Sequence, residues 1–135
     1  MRRIRLTSEA GWTLIELLIV ISLIMILSAV AMASYRNSIV HAKEAALKSD
    51  LFLMRDAIDQ YYADKGKYPE SLDALVAENY LRTVPKDPFT EQTTSWQTVE
   101  ADTPPGTTTT ASPGIYEVHS GSNATGTDGS RYSDW

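Results

Sequence analysis

One carboxylate stands at the head of a long apolar segment near the N-terminus. Glu16 is followed by LLIVISLIMILSAVAMA, from Leu17 to Ala33, in which no residue is charged. A charged side chain at the centre of a bilayer costs about 2.5–3.5 kcal/mol on insertion scales, so a partner of opposite charge is expected. Cleavage between Gly11 and Trp12 would create one, because a free α-amino group has a typical pKa of about 7.7–8.0 and is largely protonated at neutral pH.

Such an amine would give Glu16 a role in setting register between copies of the chain. In a filament, the carboxylate of one subunit would meet the amine of its neighbour in dry surroundings, where leaving either charge unpaired is costly. The alternative is that Glu16 lies at the membrane surface and contacts lipid headgroups. The residues themselves leave both interpretations open.

A second set of polar groups lies in the C-terminal segment HSGSNATGTDGSRYSDW. Asp128 and Asp134 supply carboxylate oxygens among glycines and small polar residues. Calcium takes about six to eight oxygen ligands at flexible geometry, main-chain carbonyls included, so this loop is a candidate calcium site. The spacing does not match an EF-hand loop, and from these residues alone an ordinary flexible tail is the simpler interpretation.

Catalytic groups are few and scattered along the chain. There is no cysteine, and the two histidines, His41 and His119, stand in unrelated contexts. The sequence has neither a glycine-rich phosphate loop nor a His-x-x-x-His pair. We therefore expect that the protein is not an enzyme.

Length and charge indicate one small domain together with the apolar segment. The chain has 135 residues and a formal net charge of −5, which argues against nucleic acid as a partner. Without cysteine no disulfide can form. A small domain outside the cytoplasm then needs another staple, such as a metal or oligomerisation.

The apolar segment is long enough to cross a membrane as one helix. At about 1.5 Å per residue, the stretch from Trp12 to Ala33 spans a hydrocarbon core of roughly 30 Å. A plain signal anchor and a cleavable secretory signal are alternatives, since Ala31-Met32-Ala33 has the small-x-small pattern of a cleavage site. A secretory signal normally has an apolar region of about 7–15 residues, so ordinary signal cleavage fits less well.

Beyond Ala33 the sequence becomes amphipathic without a turn signal. Apolar side chains recur every three or four residues, which predicts one helix from about Thr13 to Asp64 with Gly66 as its C-cap. The apolar stripe is expected to face a core and comprises Leu47, Leu51, Met54, Ile58 and Tyr61. The charged face is expected to be a solvated surface and comprises Lys43, Glu44, Lys48, Asp50, Arg55, Asp56 and Asp59.

The remainder predicts a short helix and two strands. ESLDALVAENYL has the periodicity of a helix that ends near Asn79. Strands are predicted at 95–100 and 114–119, and alternation in the second one places Ile115 and Val118 on opposite faces. The connecting stretch ADTPPGTTTTASP is predicted to be a mobile loop.

The N-terminal motif resembles that of a known family. Gly11-Trp12-Thr13-Leu14-Ile15-Glu16, followed by the apolar run, resembles the prepilin signature of type IV pilins and type II secretion pseudopilins. The usual motif is glycine, phenylalanine, three residues and glutamate, so Trp12 departs from it but keeps an aromatic ring. The resemblance implies that prepilin peptidase cuts between Gly11 and Trp12, that Trp12 becomes N-methylated, and that Glu16 acts in assembly.

The resemblance extends into the globular part, roughly as far as Phe89, and resumes at Gly114. AIDQYYADKGKYPESLDALVAENYLRTVPKDPF looks like the major pseudopilin of type II secretion systems, with a tyrosine-proline step, a Leu-x-x-Leu helix and a Pro-x-Asp-Pro-aromatic step in that order. The threonine-rich loop is not matched.

Major pseudopilins bind structural calcium in a C-terminal loop that has an Asp-Gly step and a later aspartate near a tryptophan. The resemblance therefore implies that Asp128 and Asp134 are calcium ligands. Further oxygens would come from groups near Ser120, Thr125, and Tyr132 or Ser133.

The implied fold is α+β and pilin-like, with a long N-terminal helix, its apolar half free or membrane-embedded, packed on a small antiparallel sheet. The implied parts are a leader peptide at 1–11, a transmembrane or filament-core helix at 12–33, and a periplasmic globular domain at 34–135 that includes the second half of the helix. The protein would be a single-pass inner-membrane protein of a bacterium with its C-terminal domain in the periplasm, and then part of an extracytoplasmic filament.

The implied function is that of a structural subunit of a type II secretion pseudopilus, a helical filament that promotes protein secretion. Its implied partners are other copies of itself, prepilin peptidase, an inner-membrane assembly platform, minor pseudopilins, and membrane lipid before assembly, with no nucleic acid expected. Two alternatives remain: a type IV pilin for adhesion, motility or DNA uptake, and a secreted or membrane-anchored binding domain cut near Ala33.

Overall fold

Two helices, two strands and a short 3₁₀ turn make up the part of the chain that the computed structural model describes, residues 9–102 and 113–135. In chain order they are α1 (Glu9–Lys65), α2 (Leu72–Ala77), β1 (Gln97–Glu100), β2 (Ile115–His119) and the 3₁₀ turn Tyr132–Asp134. The predicted helices and strands are thereby confirmed. Most of the predicted leader and of the threonine-rich loop lies outside the described residues. The chain divides into two compact units between Ile39 and Val40.

The first unit contains the apolar part of α1. Its side chains from Gly11 to Ile39 are exposed, and by length and composition the helix can cross a membrane. The hydroxyl of Ser22 donates a hydrogen bond to the Leu18 carbonyl at 2.6 Å, which satisfies this polar group within its own helix. An apolar surface of this extent calls for cover by lipid or by another protein chain.

The second unit has its core between the later part of α1 and the elements that follow. The predicted stripe of Leu47, Leu51, Met54, Ile58 and Tyr61 is buried, so this prediction is confirmed. The same core contains Leu75, Leu81, Trp96, Ile115, Val118 and Tyr132. The helix therefore contributes one face of a core whose other side comes from segments distant in sequence.

Local signals end α1 and begin α2 where the sequence predicts. Gly66 has a φ of 69°, which glycine adopts without a Cβ clash, and its amide donates to the Tyr62 carbonyl at 2.8 Å. At the start of α2 the hydroxyl of Ser71 accepts a hydrogen bond from the Ala74 amide at 3.2 Å. Between these two caps, a short segment without helical structure connects α1 to α2.

The sheet consists of β1 and β2 in antiparallel pairing. Near one end the register shifts, so that Glu100 lies opposite Ile115 and Tyr116 is an extra residue on β2. Ile115 and Val118 are both buried as a result. The prediction that they lie on opposite faces is wrong, because it assumed an uninterrupted alternation along the strand.

Two leucines of α1 provide a matched test of this core. Leu47 is 0% exposed and Leu53 is 50% exposed on the same helix. We expect Leu47→Ala to lower the free energy of unfolding by about 2–5 kcal/mol, because it leaves a cavity in the core. Leu53→Ala should change it by about 0.5 kcal/mol or less.

Urea unfolding of the detergent-solubilised chain, followed by tryptophan fluorescence, measures both changes. Equal effects of the two substitutions would contradict the described core.

Candidate functional site

The residues predicted for processing and assembly lie in the first turns of α1. Gly11, Trp12 and Glu16 are exposed, Trp12 to 74%. Because Trp12 and Glu16 are four residues apart on a helix, their side chains lie on one face. Together with Ile15 and Ile19 they line an apolar hollow of about 240 Å³. In the uncut chain the nitrogen of Trp12 belongs to a peptide bond, so a charged partner for Glu16 at this position would arise only through cleavage.

Main-chain hydrogen bonds close the C-terminal loop into a narrow hairpin-like turn. The Gly126 amide donates to the Ser130 carbonyl at 2.7 Å, and the Tyr132 amide donates to the Ala124 carbonyl at 3.1 Å. At the tip, Gly129 has a φ of 86°, a conformation that favours glycine. The Asp-Gly step of the sequence is thus the tip of this turn.

Asp128 is paired within the loop itself. Its Oδ1 accepts hydrogen bonds from the Ser130 amide at 2.9 Å and from the Ser130 hydroxyl at 2.6 Å. These hydrogen bonds, with a smaller contribution from the charge of Lys48, lower the pKa of Asp128. The same Ser130 hydroxyl accepts a hydrogen bond from Nε1 of Trp135.

The other predicted calcium ligands each make contacts of their own. Asp134 is exposed in the 3₁₀ turn and accepts a 3.4 Å hydrogen bond from Ser133. Ser120 is fully buried and its hydroxyl donates to the carboxylate of Asp87, while Thr125 forms a β-bridge with Arg131. Among the described residues, no group of three or more histidine, aspartate or glutamate side chains could hold a metal ion. The calcium site stays a prediction.

Glu44 is the residue of this region that the sequence analysis misplaced. It is 6% exposed, although it was assigned to the solvated face of the helix. Its carboxylate accepts hydrogen bonds from the Thr127 amide and hydroxyl, each at 2.7 Å, and from the Tyr132 hydroxyl at 3.0 Å. A signal was present, because Glu44 precedes Leu47 by three residues and so continues the buried stripe by one turn.

The electrostatics of this contact agree with its geometry. Hydrogen bonds from the Thr127 hydroxyl and amide hold the pKa of Glu44 below its ordinary value of 4.5, against the opposing effect of burial. Burial and the neighbouring Glu44 carboxylate raise the pKa of Tyr132 to about 12. The pair therefore remains a charged acceptor and a neutral donor at neutral pH.

Arg55 is the second residue assigned wrongly to the solvated face. Its Nη2 donates to the main-chain oxygens of Val118 at 2.9 Å and Trp135 at 2.7 Å, and its Nε donates to the carboxylate of Glu117. The guanidinium is half-buried and joins α1, β2 and the C-terminal segment. A planar group with five donors suits such a junction, where several oxygens converge from different elements.

Trp135 packs back onto the domain. Its ring meets that of Tyr132 edge-on at 5.0 Å, and the Lys48 ammonium lies 4.3 Å from the ring centroid. Tyr132 in turn stacks on Phe89 with ring centroids 3.9 Å apart. The aromatic residue of the Pro-x-Asp-Pro-aromatic step and the end of the described chain thus share one cluster.

Asp87 holds the loop before β1 against the segment after β2. It is fully buried, and its carboxylate accepts hydrogen bonds from the Phe89 amide at 2.8 Å, from the Gly121 amide at 3.2 Å and from the Ser120 hydroxyl. Its donors come from two loops that the sequence separates widely. The arrangement is one of mutual structural support between loops.

The lowered pKa of Glu44 predicts an acid-dependent loss of stability. A carboxylate whose pKa is lower in the folded than in the unfolded state stabilises the fold above its ordinary pKa and loses this effect as the pH falls through the folded value. At pH values below about 4.5 we expect the melting temperature to decrease. Glu44→Gln should make this acid-dependent decrease shallower.

Thermal melting followed by near-UV circular dichroism across this pH range measures the effect. Glu70→Gln, which removes an exposed carboxylate ahead of α2, serves as the matched control and should keep the wild-type profile. Identical acid profiles for Glu44→Gln and wild type would contradict the assignment.

Comparison with known proteins gives the family context for these features. Type IV major pilin protein PilE1 of Neisseria gonorrhoeae is 40% identical over 67 residues, which cover 48% of this chain and 39% of that protein. Type II secretion system core protein G of Klebsiella michiganensis is 27% identical over 101 residues, which cover 63% of this chain and 71% of that protein. Competence protein ComGC of Halalkalibacterium halodurans is 33% identical over 73 residues, which cover 54% of this chain and 72% of that protein.

These matches differ in how much of each relative they include. The chain spans only about two-fifths of the length of the gonococcal pilin and of fimbrial protein EcpC of Eikenella corrodens, at 39% and 40%. No protein-family model matches the chain, and no solved structure matches it significantly. The competence protein is matched over most of its length, and the long apolar helix with its small antiparallel sheet agrees with the expected fold. The chain belongs to the superfamily of type IV pilins and pseudopilins.

Proposed function

We propose that this protein is a structural subunit of a type II secretion pseudopilus and has no catalytic activity of its own. The observation that carries the proposal is the extent of the match to type II secretion core protein G, which covers 63% of this chain. The leader and α1 together, residues 1–65, cannot account for a match of that extent. The 48% shared with the gonococcal pilin is no longer than those two segments.

A type IV pilin or competence pilin is the second candidate. The observation in its favour is the 33% identity to competence protein ComGC, which is matched over 72% of its length. The two candidates share the N-terminal helix, so α1 does not distinguish them. The segments after α1 would carry the difference, because they form the surface that a filament presents to its surroundings.

The exposed helix of the first unit supports the membrane and filament states of this proposal. Its apolar side chains match the hydrocarbon core before assembly, and the same side chains would pack against other copies in the filament. The globular second unit would lie in the periplasm. Prepilin peptidase would cut between Gly11 and Trp12, and Trp12 would then be methylated at its new N-terminus.

Glu16 would guide the transfer from lipid to filament. In lipid its carboxylate is costly, and the amine of a neighbouring Trp12 would offset that cost only once two copies meet. Assembly would proceed with an inner-membrane platform and minor pseudopilins as further partners. The pairing of Glu16 with a neighbouring Trp12 would define the register between apolar helices of adjacent subunits. Apolar side-chain packing alone would specify this register less well.

Mass spectrometry of the mature protein tests the processing step. We expect an N-terminus at Trp12 with one added methyl group, after loss of residues 1–11. An N-terminus at Ser34 would contradict the filament assignment, because it would remove the apolar helix and leave a secreted domain.

Substitution of Glu16 tests the assembly step. We expect Glu16→Ala to leave cleavage after Gly11 intact and to reduce the yield of sheared filaments at least about tenfold, since a lost charge pair costing about 1.4 kcal/mol or more per subunit changes an association constant tenfold. The matched control is Glu70→Ala, which removes an exposed glutamate from the second unit. Normal filament yield from Glu16→Ala would refute the assembly role.

Deletion of the gene in the native host separates the two candidate functions. Loss of protein secretion with unchanged DNA uptake and surface motility supports the pseudopilus. Loss of DNA uptake or motility with normal secretion would overturn it in favour of a pilin.

A further inference from the structure

On the side that faces α1, the C-terminal loop carries hydrogen-bond donors. The Thr127 amide, the Thr127 hydroxyl and the Tyr132 hydroxyl all point their hydrogens at the carboxylate of Glu44. Donors that converge in this way form a binding site for an anion. A calcium site has the opposite polarity, because the ion requires oxygen lone pairs directed inward.

Several oxygens of the loop already accept hydrogen bonds within it. The carbonyls of Ala124, Gly126 and Ser130 accept the main-chain hydrogen bonds that set the width of the turn. The Oδ1 atom of Asp128 is held by the amide and the hydroxyl of Ser130. Asp134 is exposed and pairs only weakly with Ser133 within the described chain, at 3.4 Å.

Three basic side chains lie at or within the loop, beside its two aspartates. Lys48 lies over the Trp135 ring at 4.3 Å and acts electrostatically on Asp128, while Arg55 binds the main-chain oxygen of Trp135 at 2.7 Å. Arg131 stands within the loop, opposite Thr125 in the β-bridge. These like charges offset the attraction of the Asp128 and Asp134 carboxylates for a divalent cation, which makes the residues present a poor fit for calcium.

We propose that the carboxylate of Glu44 closes the C-terminal loop onto α1 in place of a bound divalent cation, so that the folded domain does not depend on calcium. The charged group that fixes the loop is thus a carboxylate of α1 itself. The donors that bind Glu44 lie 83 and 88 residues further along the chain. In other small domains, a metal or a disulfide links segments over such distances in sequence.

Melting of the full-length chain in detergent tests this proposal. The protein is compared in EDTA and in millimolar calcium chloride, with unfolding followed by tryptophan fluorescence. We expect the same melting temperature in both. We expect Glu44→Gln to lower it by at least about 4 °C, the change typical of a small domain that loses one strong interaction.

Two controls complete the experiment. Asp59→Asn removes an exposed carboxylate from the same helix, and Asp134→Asn removes a predicted calcium ligand. Both should melt like wild type in EDTA and in calcium. If Glu44→Gln yields no folded protein, Thr127→Val replaces it, because it removes the hydroxyl donor and keeps the side-chain shape.

Two results would overturn the proposal. One is a calcium-dependent rise of several degrees in the melting temperature of wild type, and its loss in Asp134→Asn would assign the ion to this loop. The other is a wild-type melting temperature for Glu44→Gln, which would show that this carboxylate does not hold the loop. Neither result bears on filament formation, so the proposed function is tested separately.

Discussion

The buried carboxylate of Glu44 is the contact on which the closure of the second unit depends. It lies one turn before Leu47 and accepts hydrogen bonds from Thr127 and Tyr132. A carboxylate removed from water is costly unless its lone pairs are satisfied. The helix can therefore bury this end of its stripe only when the C-terminal segment folds back on it. Helix and loop stabilise each other, which suits a small domain that has no cysteine.

Arg55 and Asp87 apply the same principle to other parts of the unit. Arg55 supplies donors to main-chain oxygens of Val118 and Trp135, and Asp87 supplies an acceptor to the amide of Gly121. Much of this unit is irregular chain, whose polar groups cannot pair with one another as they do in a helix or a wide sheet. Charged side chains at fixed positions take that place, and they order segments that would otherwise fray.

The two units differ in how their apolar side chains are covered. The second unit covers its apolar stripe with its own later segments, whereas the helix of the first unit leaves its apolar side chains exposed. Membership of the pilin and pseudopilin superfamily gives this exposure a purpose, because filament-forming relatives anchor in a membrane and then assemble. In the proposed pseudopilus, Glu16 adds specificity to a surface that carries no other charge as far as Ala33.

The sequence by itself determined the features that arise from local periodicity and local capping. The bounds of α1, the C-cap at Gly66, the buried stripe of the helix, the short second helix and the two strands all follow from spacing within one element. The processing motif around Gly11 is also legible from sequence, since cut site, carboxylate offset and apolar run are contiguous. Its chemistry stays a prediction, because the charged partner of Glu16 would exist only after cleavage.

Only the tertiary structure decided which polar side chains of α1 face solvent. Arg55 sits among charged residues that look alike in the sequence, and Glu44 is set apart only by its spacing from Leu47. The partners of Glu44 and Arg55 lie 83 and 80 residues away. The extra residue Tyr116 likewise escapes a period-two pattern, because a bulge depends on the partner strand and on the core beneath it. Local sequence fixes which elements form, whereas long-range pairing selects the polar groups that become buried, since a buried charge is tolerated only where distant donors converge on it.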